Sequence, residues 1–172
     1  MRVKKRIRKG PQAGGKAPLL PVVIGTGFGS GFWPWGPGTA GAALAVLIWL
    51  ALSCAVTPQV LVFITMALTV VFTLLGVWAA DRLEPYWGED PSRVVVDEMV
   101  GVWIPLLVAS PDIWWTPWAA FLLFRFFDIL KPLGIRRMEA LPGGVGVMMD
   151  DILAGVYSAA VMILIHLLCN SI

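Results

Sequence analysis

The sequence predicts an all-α membrane protein, a polytopic bundle of about five spanning helices that follows a Gly/Pro-rich segment. Hydrophobic residues make up 58% of the chain and charged residues only 14%, and the mean hydropathy is +0.81. These values lie far outside the range of an ordinary soluble domain. Several apolar stretches are also long enough to cross the hydrocarbon core of a bilayer at ~1.5 Å rise per residue. The 172 residues therefore suit one domain of several short spans.

The N-terminal tail, residues 1–18, is strongly basic. Seven of the thirteen basic residues precede the first apolar stretch. Such a tail favours a cytoplasmic position beside anionic lipid headgroups. Nucleic acid is not an expected partner, because no globular base-reading surface follows the basic run. Residues 19–172 are then expected to form a single membrane-embedded domain.

The first apolar segment, from Leu19 to Gly41, is interrupted by seven glycines after residue 24 and by Pro34 and Pro37. Irregular backbone at membrane depth is tolerated only where protein or water satisfies its polar groups. The segment is therefore predicted to be re-entrant or interfacial, with a loose connector as the alternative. Ser30 and Thr39 lie among many backbone N–H groups and could help to hold an anion.

The helical spans follow in order. Residues 40–56 and 59–80 form a predicted helical hairpin, and a polar loop over residues 85–92 comes after the charged end of the second span. The third apolar stretch runs from residue 93 to 109, and the fourth from 114 to 130. A loop over 133–147 leads to Asp150 and Asp151, which are predicted to open the fifth span.

The charge distribution selects one orientation of these five spans. With the N-terminus inside, all thirteen basic residues lie inside or at the inner ends of helices. Of the eleven acidic residues, only Asp112 then lies outside. The opposite orientation would violate the positive-inside rule throughout.

This orientation brings acidic residues from three helices to one depth near the inner surface: Asp97, Glu98, Asp128, Asp150 and Asp151. Uncompensated carboxylates at a membrane surface would repel one another strongly. A bound divalent cation removes this repulsion. Because the ligands offer only oxygen, a hard ion is expected, Mg²⁺ before Mn²⁺ or Ca²⁺.

Cationic side chains accompany the acidic residues. Arg125, Asp128 and Lys131 are three residues apart and so share one helix face. A structural ion pair between Arg125 and Asp128 is one interpretation. Cations beside a metal-binding cluster are also what phosphoryl chemistry requires, because the transferred group is anionic. His166, the only histidine, is predicted near the opposite end of the last span, which excludes histidine-dependent catalysis at this site.

Four ordered motifs resemble one known family. They are the Gly27–Gly31 run with Pro37-Gly38-Thr39 and Gly41; Asp97-Glu98 with Gly101 and Trp103; Arg125 with Asp128 and Lys131-Pro132; and Gly143-Gly144 with Asp150-Asp151 and Gly155. Together, over about residues 25–160, they are similar to the bacterial phosphatidylglycerophosphatase A family.

The resemblance implies Mg²⁺-dependent hydrolysis of the terminal phosphomonoester of phosphatidylglycerophosphate, a phospholipid substrate of the bacterial cytoplasmic membrane, at a site on its cytoplasmic side. The domain 19–172 would then be catalytic. The five carboxylates would supply metal ligands and catalytic groups, with either a water or a carboxylate as nucleophile. Arg125 and Lys131, helped by Ser30 and Thr39, would bind the substrate phosphate.

Two other classes of protein compete with this interpretation. A cation transporter or channel also uses membrane carboxylates, but it would spread them through the membrane depth, whereas the predicted middle and outer thirds contain none. A non-enzymatic scaffold would leave the clustered acids unexplained.

Overall fold

The computed structural model describes residues 15–132 and 134–169, and this part of the chain is entirely helical, with no strand. The all-α prediction is confirmed. Six α-helices follow one another: α1 Leu19–Gly25, α2 Pro37–Ser53, α3 Pro58–Trp87, α4 Val96–Leu106, α5 Thr116–Leu130 and α6 Gly144–Cys169. Two short 3-10 helices, Ser30–Phe32 and Ile135–Ala140, lie in the connections. Most of the basic tail, residues 1–14, lies outside the described residues.

Helices α3 and α6 are the two described helices that are long and apolar enough to cross a membrane, with mean hydropathies of 2.6 and 2.0. Helix α2 is apolar but has only 17 residues. The predicted hairpin therefore appears as α2 and α3. The five-span arrangement stays a prediction, because α4 and α5 have only 11 and 15 residues.

The short helix α4 lies at the centre of the bundle. Helices α2, α3, α5 and α6 all pack against it, and nine of its eleven residues are buried. Its closest approach is to α6, where Gly101 faces Gly155. A methyl group on Gly155 would overlap the carbonyl oxygen of Gly101, so the absence of side chains brings these two backbones together. This contact sets the separation between the acidic residues of the two helices.

Two predicted boundaries were wrong. Helix α3 does not end at the charged run 81–84 but continues through Pro85 to Trp87. Proline removes only its own N–H bond to the preceding turn, and Gly88, with φ of 89°, ends the helix three residues later.

The start of α6 is the second corrected boundary. The helix begins at Gly144, so Asp150 and Asp151 lie in its second turn and do not open it. Gly144 packs against the backbone of Val77 in α3, where a side chain would overlap the Val77 carbonyl oxygen. Its N–H donates to Asp81 Oδ1 at 2.7 Å. A carboxylate from α3 thus satisfies one of the free N–H groups at the start of α6.

Candidate active site

Three carboxylates from two helices meet where the start of α4 packs against α6. Asp97 and Glu98 come from the first turn of α4 and Asp151 from α6, and one oxygen of each lies within 4.8 Å of the others. Asp97 and Asp151 are only 7% and 3% exposed. We refer to Asp97, Glu98 and Asp151 as the acidic triad.

The described residues do not provide a hydrogen-bond donor for every oxygen of the acidic triad. The Glu98 N–H donates to Asp97 Oδ1 at 3.1 Å, but Glu98 Oε2 is buried with no hydrogen-bond partner in the described part of the chain. A buried carboxylate oxygen without a partner carries a large desolvation cost. Three converging carboxylates with such an orphan oxygen form the donor set of a hard divalent cation, so the residues fit a metal site.

Asp128 and Asp150, the other two predicted carboxylates, are each paired with a cation. Asp128 lies in the last turn of α5, and its Oδ2 is 2.6 Å from Arg125 Nη1. Asp150 Oδ2 accepts from Lys131 Nζ, also at 2.6 Å. The expected i,i+3 ion pair of Arg125 with Asp128 is therefore present, and it adjoins the acidic triad.

The start of α2 contacts the same site. A methyl group on Gly38 would overlap Glu98 Oε1 and would lie 3.3 Å from Arg125 Nη1. Only glycine allows the first turn of α2 to approach these two side chains this closely. The following residue, Thr39, is exposed. The Gly/Pro-rich segment thus places the N-terminal end of a helix, with its free N–H groups, close to the Arg125 guanidinium.

Ser30 has a local role in this structure. Its hydroxyl lies 2.9 Å from the Gly27 carbonyl oxygen and 3.2 Å from that of Thr26, so it donates within its own loop. That loop packs near Met99 and Val95 at the start of α4. Its predicted part in binding phosphate stays a prediction.

Two functional positions were missed in the sequence. Asp81 was assigned only to the polar end of a span, yet its carboxylate accepts a hydrogen bond from the Gly144 N–H in the first turn of α6. Gly38 was identified only as part of a motif. Its missing side chain, which lets Glu98 and Arg125 lie against the start of α2, was not predicted. Both depend on contacts between distant segments, for which the local sequence carries no signal. His166 lies far from the acidic triad, as expected. It is fifteen residues beyond Asp151 in α6, about 22 Å along the helix. The centre of its ring is 6.3 Å from that of Trp115.

Comparison with known proteins shows which family the chain belongs to. The family model for phosphatidylglycerophosphatase A matches residues 23–166. Two curated proteins named phosphatidylglycerophosphatase A are similar to the chain. The one from Haemophilus influenzae is 39% identical over 153 residues, covering 86% of this chain and 90% of the relative. The one from Escherichia coli is 34% identical over 142 residues, covering 81% and 80%.

A third relative has a different name. A protein of Bacteroides thetaiotaomicron, provisionally named a phosphatidylinositol-3-phosphatase, is 67% identical over 142 residues, covering 81% of this chain and 89% of the relative. No solved structure matches the chain. The family match covers all four motifs and every carboxylate of the site, and the chain is accordingly a phosphatase that belongs to the phosphatidylglycerophosphatase A family.

Proposed function

We propose that the protein is a Mg²⁺-dependent lipid phosphatase that hydrolyses the terminal phosphomonoester of phosphatidylglycerophosphate to phosphatidylglycerol and inorganic phosphate. The observation that carries this proposal is the buried acidic triad with its unpartnered Glu98 oxygen, directly beside Arg125. The family match and the names of two relatives support the reaction and the substrate.

The acidic triad would hold the cation, and Asp128 and Asp150 complete the acidic surroundings. When bound, Mg²⁺ supplies a Lewis acid that offsets the charge developing on the phosphoryl oxygens. The choice of Mg²⁺ follows from the all-oxygen donor set, with Mn²⁺ as a plausible substitute.

The remaining groups bind the substrate and move its protons. Arg125 and Lys131 would neutralise the phosphomonoester, and the N–H groups at the start of α2, with Thr39, would add donors. Ser30 would join them only when its hydroxyl leaves the Gly27 carbonyl oxygen. A carboxylate of the site orients the attacking water and accepts its proton while the bond from phosphorus to the glycerol oxygen breaks. The leaving oxygen takes up a proton to give the lipid hydroxyl.

The proposed location is the bacterial cytoplasmic membrane, with residues 1–18 and the acidic triad on the cytoplasmic side. The charge asymmetry of the sequence and the two apolar helices α3 and α6 support it. In the proposed arrangement, a multi-pass domain over residues 19–172 would hold the site at the depth of a lipid phosphate on the inner leaflet.

A second substrate is favoured by one comparison. The Bacteroides relative that is 67% identical carries the provisional name phosphatidylinositol-3-phosphatase, which suggests phosphatidylinositol 3-phosphate as the second lipid. Both lipids present a phosphomonoester on a hydroxylated headgroup, so the same acidic triad and cations would serve either reaction.

The test is phosphate release by the purified protein in mixed micelles, with each lipid, with Mg²⁺ and after exhaustive chelation. We expect Mg²⁺-dependent release from phosphatidylglycerophosphate. Release that persists fully after chelation would remove the metal from the proposal, and no release from any lipid phosphate would refute it. Transport of Mg²⁺ by reconstituted protein without phosphate release would favour the cation transporter or channel instead.

A further inference from the structure

Arg93 lies in the connection between α3 and α4, and its side chain is exposed. The central carbon of its guanidinium is 5.9 Å from the centre of the Phe32 ring, a cation–π distance. Within the described part of the chain, no carboxylate forms an ion pair with Arg93. The N–H donors of this guanidinium are therefore available to an anionic ligand.

The backbone holds Phe32 against Arg93. Gly31 packs on the connection between α3 and α4, where a methyl group would overlap the Arg93 carbonyl oxygen. Two residues further on, the Val95 N–H donates to the Gly25 carbonyl oxygen at 2.8 Å. The Gly/Pro-rich segment and this connection are thus joined at two points, and the aromatic ring beside the guanidinium has a fixed position.

A cavity of about 290 Å³ opens beside this cation–π pair, and its wall consists of Trp87, Pro91, Ser92 and Arg93. The wall offers a cation, a hydroxyl and an indole ring. The Trp87 ring also meets the Phe32 ring edge to face, with centres 6.5 Å apart. The carboxylates of Glu89 and Asp90, in the same connection, line a different cavity, between α3 and the segment 140–147. The wall at Arg93 therefore favours a negatively charged group.

Exposed aromatic side chains extend the surface beyond this cavity. Phe32 is 51% exposed, and Trp33 and Trp35 are 56% and 85% exposed. The rings of Trp33 and Trp35 meet edge to face, with centres 6.0 Å apart. Exposed indole rings are typical of the boundary between lipid headgroups and acyl chains. A cation beside such rings matches the two parts of an anionic phospholipid, its phosphate and its chains.

We propose that the pocket at Arg93 binds the phosphodiester of an anionic phospholipid that the protein does not hydrolyse, while the acyl chains lie against Trp33 and Trp35. One guanidinium matches the single negative charge of a phosphodiester. The pocket shares no residue with the acidic triad or with the cations assigned to the substrate phosphate. Asp97 follows Arg93 by four residues, so a lipid bound here holds the start of α4 at the depth of the headgroups.

The test is a lipid titration of the full-length protein in a neutral detergent, with bound lipid counted by native mass spectrometry. One probe is phosphatidylmethanol, an anionic phosphodiester without a phosphomonoester to hydrolyse. The other is phosphatidylcholine with the same acyl chains, whose choline neutralises the phosphate. The wild-type protein should bind phosphatidylmethanol more tightly by roughly tenfold, the effect of one hydrogen bond between charged groups.

Three variants locate the site. Arg93→Gln should remove the preference for phosphatidylmethanol. Phe32→Leu keeps the charge but removes the ring beside the guanidinium, and it should reduce the preference by about two- to fivefold. Arg82→Gln removes the same charge from a nearby exposed position, so it is the matched control and should keep the wild-type preference.

A defined site and diffuse surface charge give different patterns in this experiment. Equal losses for Arg93→Gln and Arg82→Gln, or no preference in the wild-type protein, would overturn the inference. Inorganic phosphate that displaces phosphatidylmethanol at equal concentration would indicate a site for a free anion and would also overturn it. Phe32→Leu decides the matter if Arg93→Gln does not fold, because an unchanged preference in that variant contradicts the proposed pocket.

A second measurement separates this pocket from the catalytic site. Competitive inhibition of phosphate release by phosphatidylmethanol that Arg93→Gln abolishes would place Arg93 in the substrate site and overturn the inference. The lipid titration itself requires no hydrolysis. A protein that releases no phosphate but binds phosphatidylmethanol through Arg93 would therefore refute the proposed function and support this inference.

Discussion

Replacing Asp151 by asparagine should separate catalysis from folding. The substitution keeps the shape of the side chain but removes one charge from the acidic triad. At the 4.8 Å limit of this cluster, two unit charges repel by about 3 kcal/mol at an effective dielectric constant of about 20. The metal-free variant should therefore be as stable as the wild type or more stable, by up to that amount for each charged neighbour.

The same change should abolish most of the activity. Losing one ligand or proton acceptor at a phosphoryl-transfer site typically costs about a hundredfold or more in turnover. The unfolding temperature in detergent supplies a second readout. A ligand that binds only the folded state at a hundred times its Kd stabilises it by about 2.7 kcal/mol, so Mg²⁺ should raise the unfolding temperature of the wild type and not that of Asp151→Asn.

The assay is thermal unfolding in detergent, with and without Mg²⁺, beside phosphate release from phosphatidylglycerophosphate for the same preparations. Asp112→Asn is the control, because its exposed carboxylate lies apart from the site, and it should be silent in both measurements. Near-normal turnover of Asp151→Asn, or a loss only in proportion to lost folded protein, would refute the reasoning and make the acidic triad structural.

Four further predictions test the surroundings of the site. Arg125→Ala should lose both activity and stability, because it leaves the buried Asp128 carboxylate without its cation; unchanged unfolding would show that the 2.6 Å ion pair contributes little. Asp81→Ala should lower the free energy of unfolding by about 1 kcal/mol by removing the acceptor of the Gly144 N–H, which denaturant titration would detect, whereas Arg82→Ala, a neighbouring exposed control, should not. Gly155→Leu should separate α6 from α4 and reduce Mg²⁺ binding, measured calorimetrically; retained binding would contradict the role given to this contact. Finally, a cysteine at position 140, in a background lacking Cys54 and Cys169, should resist an impermeant thiol reagent in intact cells while one at position 111 reacts, and the reverse pattern would invert the proposed topology.

The sequence alone determined the properties that depend on composition and local pattern. Apolar length identified α2, α3, α5 and α6 as helices, although the end of α3 and the start of α6 were misplaced by seven and six residues. The placement of acids at helix ends, together with the lack of a nearby histidine, indicated an oxygen-ligand metal site and phosphoryl chemistry. The helical fold and the phosphatase class are confirmed, and the metal site stays a prediction. The local pattern was sufficient for the first two because hydrophobic burial and charge solvation act on each segment regardless of its neighbours.

The tertiary structure decided how the charges are partnered. Five carboxylates were predicted as one equivalent set, but packing of α4 against α6 at Gly101 and Gly155 gathers only Asp97, Glu98 and Asp151 within 4.8 Å. Asp150 is paired instead with Lys131, although it is adjacent to Asp151 in sequence. Neighbours on a helix point about 100° apart, so which of two adjacent acids enters a site depends on the rotation of the whole helix. That rotation is set by contacts such as Asp81 with Gly144, between segments 63 residues apart, which no local pattern encodes.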